Sequence, residues 1–215
     1  MTTHVAGRAR IGRPPDTDAA ETRRRIVDVA RRAFAAGGFA AATNREIAQA
    51  AGVTTGAVYH HFGSKEALYL AVYIDAHDWV YERFRVSIAG RPTFLDKFDA
   101  VLDEAALINR RDPSLAAFIG SARVDRRRHR ELAAVIPDDR ARRSAFFGGL
   151  VDVGVATGEL AADHRQEVAV LVDTLILGLN DGAMDSMKRQ LAAIAAIKSA
   201  LRRVVGAPPR SAGPA

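Results

Sequence analysis

The stretch VTTGAVYHHFGSKEAL, residues 53–68, places two threonines, a glycine, a tyrosine and two histidines within about two helical turns. Val58 and Phe62 stand four apart, the spacing of an apolar stripe on one helix face. With that face against a core, Thr55, Gly56, Tyr59 and His60 point outward. Small residues at the start of such a helix let its backbone approach another molecule closely, and the longer rings further along reach to either side. His60 and His61 are about 100° apart around a helix and so do not readily share a metal ion. The pattern fits a contact surface rather than a buried core or a chelating site.

The flanking residues say what kind of surface. Thr43 and Glu46 form a helix start signal three residues apart, Ile47 and Ala48 begin an apolar face, and Gly52 closes it after about two turns. Val53 tethers the chain to the core, Thr54 caps a third short helix, and that helix runs to FGS. About three residues with a glycine separate the two helices, which is the helix-turn-helix arrangement whose second helix enters the DNA major groove. Threonine methyl and hydroxyl groups there meet thymine methyls or polar base edges. Tyr59 and His60 reach phosphate oxygens. Ser64 caps the next helix, whose first amides and Lys65 make a second phosphate-binding point. Upstream, Pro14 and Pro15 stop any earlier structure and Asp18 with Glu21 reads as a start signal. Ile26, Val29, Ala30, Ala33 and Phe34 then give a helix over 18–37 that ends at Gly37-Gly38.

Charge agrees with this placement. Residues 1–65 carry 10 Lys/Arg against 5 Asp/Glu, and the remainder carries 21 against 20, so nearly all of the net +6 sits in the first third. A basic segment on a near-neutral body reads as a polyanion-binding module on a carrier domain. In the N-terminal RARIGRPP, Arg8, Arg10 and Arg13 either follow the phosphate backbone or enter a minor groove, or the segment is a solvated tail. The chain has no cysteine, which excludes disulfides and thiolate sites. Its N-terminus lacks the apolar core of a signal peptide, and the longest strongly apolar run, Val168 to Leu179, is 12 residues with Asp173 inside it. A membrane span needs about 20. A cytoplasmic protein with no membrane segment is expected.

The run TNREIAQAAGVTTGAVYHHFGSKEALYLAV, with the helix before it, resembles TetR-type (tetracycline-repressor-like) transcriptional regulators over residues 18–75. The T-x-x-E-I-A opening, the A-G-V turn, the G-x-x-Y-x-H-F helix and the S-K-E-A-L lead all agree. The resemblance implies phosphate contacts from Thr43, Tyr59, His60 and Lys65, beside which His61 packs or caps, and positions close to the bases for Arg45, Thr54, Thr55 and Gly56. Ala57 stands where many relatives carry a hydroxyl or amide side chain. The implied fold is all-α: an N-terminal three-helix DNA-binding domain followed by a six-helix ligand-binding and dimerisation domain. The expected boundaries are an arm at 1–15, the DNA-binding domain at 16–63, the body at 64–206 and a tail at 207–215.

The periodicity of the body gives helices over 64–89, 93–110, 113–127, 138–157, 165–187 and 189–205, broken at Gly90-Arg91-Pro92, Asp112-Pro113, Pro137 and Gly158. The helix over 165–187 is apolar all round and must be buried on more than one face. The last has Leu191, Ile194, Ile197, Leu201 and Val204 on one stripe. A two-fold homodimer built from these two helices would cover both, with Gly178 and Gly182 allowing close approach. The remaining helices suit a cavity with Trp79, Phe98, Phe118 and Phe147 as candidate walls, beside Phe84, Phe94 and Phe146, and Asp173 or Asn180 as candidate anchors. All are equally compatible with ordinary core, and a buried Asp173 must be paired, hydrogen-bonded or protonated. The basic run in ARVDRRRHREL, residues 122–132, reads as solvated surface.

No G-x-S-x-G, G-x-x-x-x-G-K, G-x-G-x-x-G or H-E-x-x-H occurs, so neither an enzyme, a metal site nor a cofactor is expected. The reading is a dimeric regulator, more a repressor than an activator, that holds a palindromic double-stranded operator and is released by an unidentified small molecule. A nonspecific architectural DNA binder and a regulator controlled by a protein partner are the alternatives. About 150 near-neutral residues favour the first reading over DNA coating.

Overall fold

The computed structural model describes the backbone of residues 15–182 and 186–205, with side chains over 18–179 and 186–205. The arm with Arg8, Arg10 and Arg13, the tail at 207–215, the side chain of Asn180 and the surroundings of Gly182 lie outside what is described. Among those described, every regular element is helical: α1 (Pro15–Ala41), α2 (Asn44–Ala50), α3 (Thr55–Phe62), α4 (Lys65–Ile88), α5 (Phe94–Arg111), α6 (Pro113–Arg128), α7 (Arg130–Val135), α8 (Arg140–Ala156), α9 (Arg165–Gly182) and α10 (Met187–Val205). A single 3-10 turn, Ala162–His164, precedes α9. No helix among them is long and apolar enough to cross a membrane.

Several boundaries differ from the sequence expectation; the helix expected over 165–187 is α9 (Arg165–Gly182), and α10 already begins at Met187. Helix α1 begins at Pro15, where a proline is tolerated because first-turn amides have no intrahelical acceptor, so Asp18 and Glu21 sit inside it rather than at its start. The helical run ends near Gly38, whose φ of 72° and ψ of 178° break it as the glycine pair predicts. The basic run forms the end of α6 and the extra helix α7, because Leu132 within it is fully buried and supplies an apolar anchor that the surrounding charges mask in the sequence.

One hydrophobic cluster runs through the whole molecule, from Ile26, Phe34, Ile47 and Val58 through Leu68, Val72, Phe98 and Phe118 to Val151, Val172 and Leu201. The first three helices therefore pack on the body rather than hang from it. Helix α6 carries much of this union. Arg31 of α1 is buried and binds Asp112 at 2.8 Å and Ser114 at 2.7 Å, at the start of α6. At the other end of α6 the buried Asp125 accepts from the Phe39 amide at 3.1 Å and the Tyr69 hydroxyl at 2.9 Å. Helix α1 thus grips α6 at both ends, and Tyr69 brings α4 into the second grip.

Candidate functional site

Two regions carry the chemistry: the α2–α3 pair at one end of the molecule and a polar-ended cavity within the body. Helix α2 opens with a full capping box. The Glu46 amide donates to the Thr43 hydroxyl at 3.2 Å, and the Thr43 amide and hydroxyl donate to the Glu46 carboxylate at 3.2 and 2.7 Å. Those bonds hold the Glu46 carboxyl below its ordinary value. The helix closes on Gly52, at a φ of 66° that only glycine adopts without strain. The Gly52 amide donates to the Gln49 carbonyl at 3.1 Å and the Val53 amide to the Ala48 carbonyl at 2.9 Å, a Schellman closure with Val53 packed on the core. Thr54 then caps α3 by accepting from the Ala57 amide at 3.1 Å. Two side-chain caps and one glycine thus fix the angle between α2 and α3.

Helix α3 is anchored by Val58, which is fully buried, and by Phe62, which is half-buried beneath the Arg23 guanidinium 5.1 Å from its ring. Its other face is open. Thr54, Gly56 and His60 are exposed, Thr55 is half-exposed, and Tyr59 is 51% exposed. Thr43 and Arg45 are exposed at the start of α2 on the same module. Lys65, in the first turn of α4, lies with its ammonium 4.4 Å over the Phe39 ring and 3.4 Å from the Ala40 carbonyl. Burial there lowers its affinity for a proton. Lys65 therefore ties the start of α4 to the end of α1.

In the body, a cavity of about 90 Å³ lies between α4, α5, α6, α8 and α9, closed by Gln190 of α10. Its walls include Val80, Phe84, Val101, Leu102, Phe147 and Ile176, and one end is polar, with His77, Tyr81, Asp139 and Arg143. A second space of about 80 Å³ shares His77, Ile119, Asp139 and Arg143 with the first, so these four form a partition. Arg143 is buried and binds Asp173 at 2.6 Å; burial disfavours its charge, but the bonds to Asp173 outweigh this and raise it above the usual guanidinium value. His77 donates from Nδ1 to the Tyr73 carbonyl at 2.8 Å, and burial pushes it below the ordinary imidazole value against the pull of Asp139. At the far wall, the Asn109 amide donates to Gln190 at 2.7 Å.

Residues 26–72 match the family model described as bacterial regulatory proteins, tetR family. The chain is 25% identical over 191 residues to the HTH-type transcriptional regulator UidR of Escherichia coli strain K12, covering 88% of this chain and 94% of the relative. It is 36% identical over 85 residues to the HTH-type transcriptional repressor KstR2 of Mycolicibacterium smegmatis, covering 39% and 42%. Its fold superposes on the crystal structure of a TetR transcriptional regulator from Chloroflexus aurantiacus with a TM-score of 0.70 and 26% identity, over 87% of this chain and 97% of that one. The match, the relatives and the superposition together support a TetR-type transcriptional regulator. Sequence-specific DNA binding follows with the family, whose members are regulators and not enzymes.

Within the body the cavity candidates scatter. Phe147 lines the cavity. Asp173 sits one bond behind it, on Arg143. Phe98 is fully buried and stacks on Phe94, and Phe118 is fully buried against Tyr69, so both belong to the core beside the cavity. Trp79 is 48% exposed and lines a separate outer groove of about 480 Å³ between α1, α4, α5 and α6. The polar residues at the end of the cavity, His77, Tyr81, Asp139 and Arg143, are absent from the sequence reading. A signal for two of them exists: Tyr69, Tyr73, His77 and Tyr81 recur every fourth residue along α4, and all are buried. Their polar tips meet, in order, Asp125, the Pro137 carbonyl, the Tyr73 carbonyl and Asp139.

Proposed function

We propose that this regulator is a homodimeric repressor that holds a palindromic operator through paired α3 helices and leaves it when a small molecule occupies the cavity of the body. The open face of α3, with Val58 buried behind it and Thr54, Thr55, Gly56, Tyr59 and His60 in front, carries this reading. Thr55 and Gly56 approach the bases, with Thr54 and Arg45 beside them, while Tyr59, His60, Thr43 and Lys65 address phosphates. The Thr43 hydroxyl proton is engaged by Glu46, so Thr43 reaches a phosphate oxygen only by turning that proton outward. Residues 16–63 act as the DNA-binding domain and 64–206 as the body. Such a protein works in the cytoplasm, where its operator is.

Dimerisation through the last two helices is supported by the apolar side chains they leave exposed: Val170 and Leu171 on α9, Leu191 and Val204 on α10. Ala192, Ala195, Ala196 and Ser199 are exposed on α10, and Gly178 faces open space. Two copies joined there would take these exposed apolar side chains out of water.

Release follows from the two grips on α6. Ala116 and Ile119 of α6 line the cavity, and Arg31 and Asp125 fix its ends to α1. A molecule that displaces α6 also displaces α1, and through Tyr69 it reaches α4. It shifts operator affinity only by its differential affinity for the two arrangements, about 1.4 kcal/mol per tenfold change. Selection from a random pool of double-stranded DNA tests the core of the reading. Two inverted half-sites about one helical turn apart, roughly 34–36 Å, are expected. A pool that stays unenriched, or one enriched in a single unrepeated half-site, contradicts it.

A further inference from the structure

At the polar end of the cavity two acceptors face each other. A backbone carbonyl only accepts, so the His77 Nδ1 that lies 2.8 Å from the Tyr73 carbonyl carries the ring proton. Burial keeps the ring neutral by lowering its proton affinity, which leaves Nε2 as a lone pair. Nε2 lies 4.0 Å from Asp139 Oδ1, too far for a bond of their own. One donor atom about 2.8 Å from each would bridge them.

The remaining surroundings leave Asp139 available. Its Oδ2 is 3.5 Å from the Tyr81 hydroxyl and 3.7 Å from Arg143 Nη1, both at the outer limit of a bond. Arg143 gives its short bond to Asp173 instead. Asp139 occupies the N-cap of α8, but its backbone is helical (φ −66°, ψ −6°) and its side chain makes no cap bond, so the carboxylate serves the cavity rather than the helix amides. Arg142, which also faces this end, is paired with Asp78 and stacked on Tyr81. With His77 neutral and Arg143 shared between Asp173 and, more distantly, Asp139, the polar end of the cavity holds two carboxylates against one guanidinium.

We propose that the cavity takes an apolar molecule ending in a protonated amine, whose N–H groups bridge His77 Nε2 and Asp139 Oδ1 while its carbon skeleton lies against Val80, Phe84 and Phe147. This rests on the reading of the cavity as the effector site. A molecule ending in a carboxylate would set its charge against Asp139 and would have to take Arg143 from Asp173.

Short probes of matched length suit the cavity size: n-pentylamine, butyl methyl ether and pentanoate, titrated calorimetrically at pH 7.5 into the full chain. The amine binds about tenfold tighter than the ether, the ratio that one charge-assisted hydrogen bond supplies. In Asp139→Asn, and independently in His77→Phe, that ratio falls toward one. Ether or pentanoate binding as tightly as the amine overturns the proposal, as does a ratio unchanged in both variants or the absence of saturable binding by any probe. Operator binding by the same preparation without probes is read separately. If it holds while the amine preference fails, the ligand class is wrong and the operator reading stands.

Discussion

Tyr59 and His77 show how a single side chain's surroundings fix what it can do. Tyr59 is half in water beside a buried valine, so removing its hydroxyl costs the fold little, and under the proposed phosphate contact it costs DNA binding one hydrogen bond to a charged acceptor. Tyr59→Phe weakens operator binding about tenfold in fluorescence anisotropy titrations, as such a bond implies. Because the hydroxyl is neutral, the slope of log affinity against log salt stays the same; a changed slope or unchanged affinity removes Tyr59 from the phosphate contacts. His77 is the opposite case. Its folded proton affinity lies below that of the unfolded ring, whose ordinary value is 6.5. The unfolded state therefore takes up the extra proton first as pH falls, and the His77 contribution to stability declines below about pH 6.5. Asp139, whose carboxyl burial raises, pulls the other way nearer its own range. Urea denaturation at pH 7.5 and 5.5 tests this: wild type loses more stability between the two than His77→Phe does. Equal losses contradict the assignment. The outward setting of Tyr59 is legible in the local spacing of Val58 and Phe62, whereas the burial of His77 depends on residues far along the chain such as Asp139 and is not.

Elements are where the sequence was most legible, and the reason is local chemistry. Thr43, Thr54 and Ser64 each cap the helix they precede, and the glycines at 38 and 52 sit at the positive φ values their placement implied. Such signals act within four residues and need no tertiary information. Helix α7 was missed because its single anchor, Leu132, is surrounded by charge, and Asp125 was missed because its two partners come from α1 and α4. Long-range packing also governs Gly154, an inconspicuous residue inside α8. A Cβ there would lie 2.7 Å from Leu160 Cδ1 and 2.9 Å from Phe94 Cβ, and the latter is fixed by the backbone of α5. Gly154→Ala accordingly destabilises the protein by about 1–3 kcal/mol through overpacking. A melting curve that matches wild type would show that α5 and α8 separate more easily than the packing implies.

For the molecule as a whole, the exposed apolar side chains of α9 and α10 join the open face of α3 in the proposed dimer, while Ile194 and Leu201 of the expected α10 stripe pack inside the monomer: a monomer offers one recognition helix, and a two-fold pair offers two at operator spacing. Leu171→Arg combined with Leu191→Arg changes side chains that are exposed within the monomer, so it leaves the monomer fold intact and abolishes the dimer in sedimentation velocity. A double variant that still sediments as a dimer moves the interface elsewhere. The measurement that bears most directly on the whole account is protection of DNA flanking the protein's own gene, titrated against excess random competitor at two salt concentrations. Sequence-specific binding by paired α3 helices predicts a short palindromic footprint, saturable and resistant to competitor at both salts. Uniform, strongly salt-sensitive coating of every fragment would contradict it.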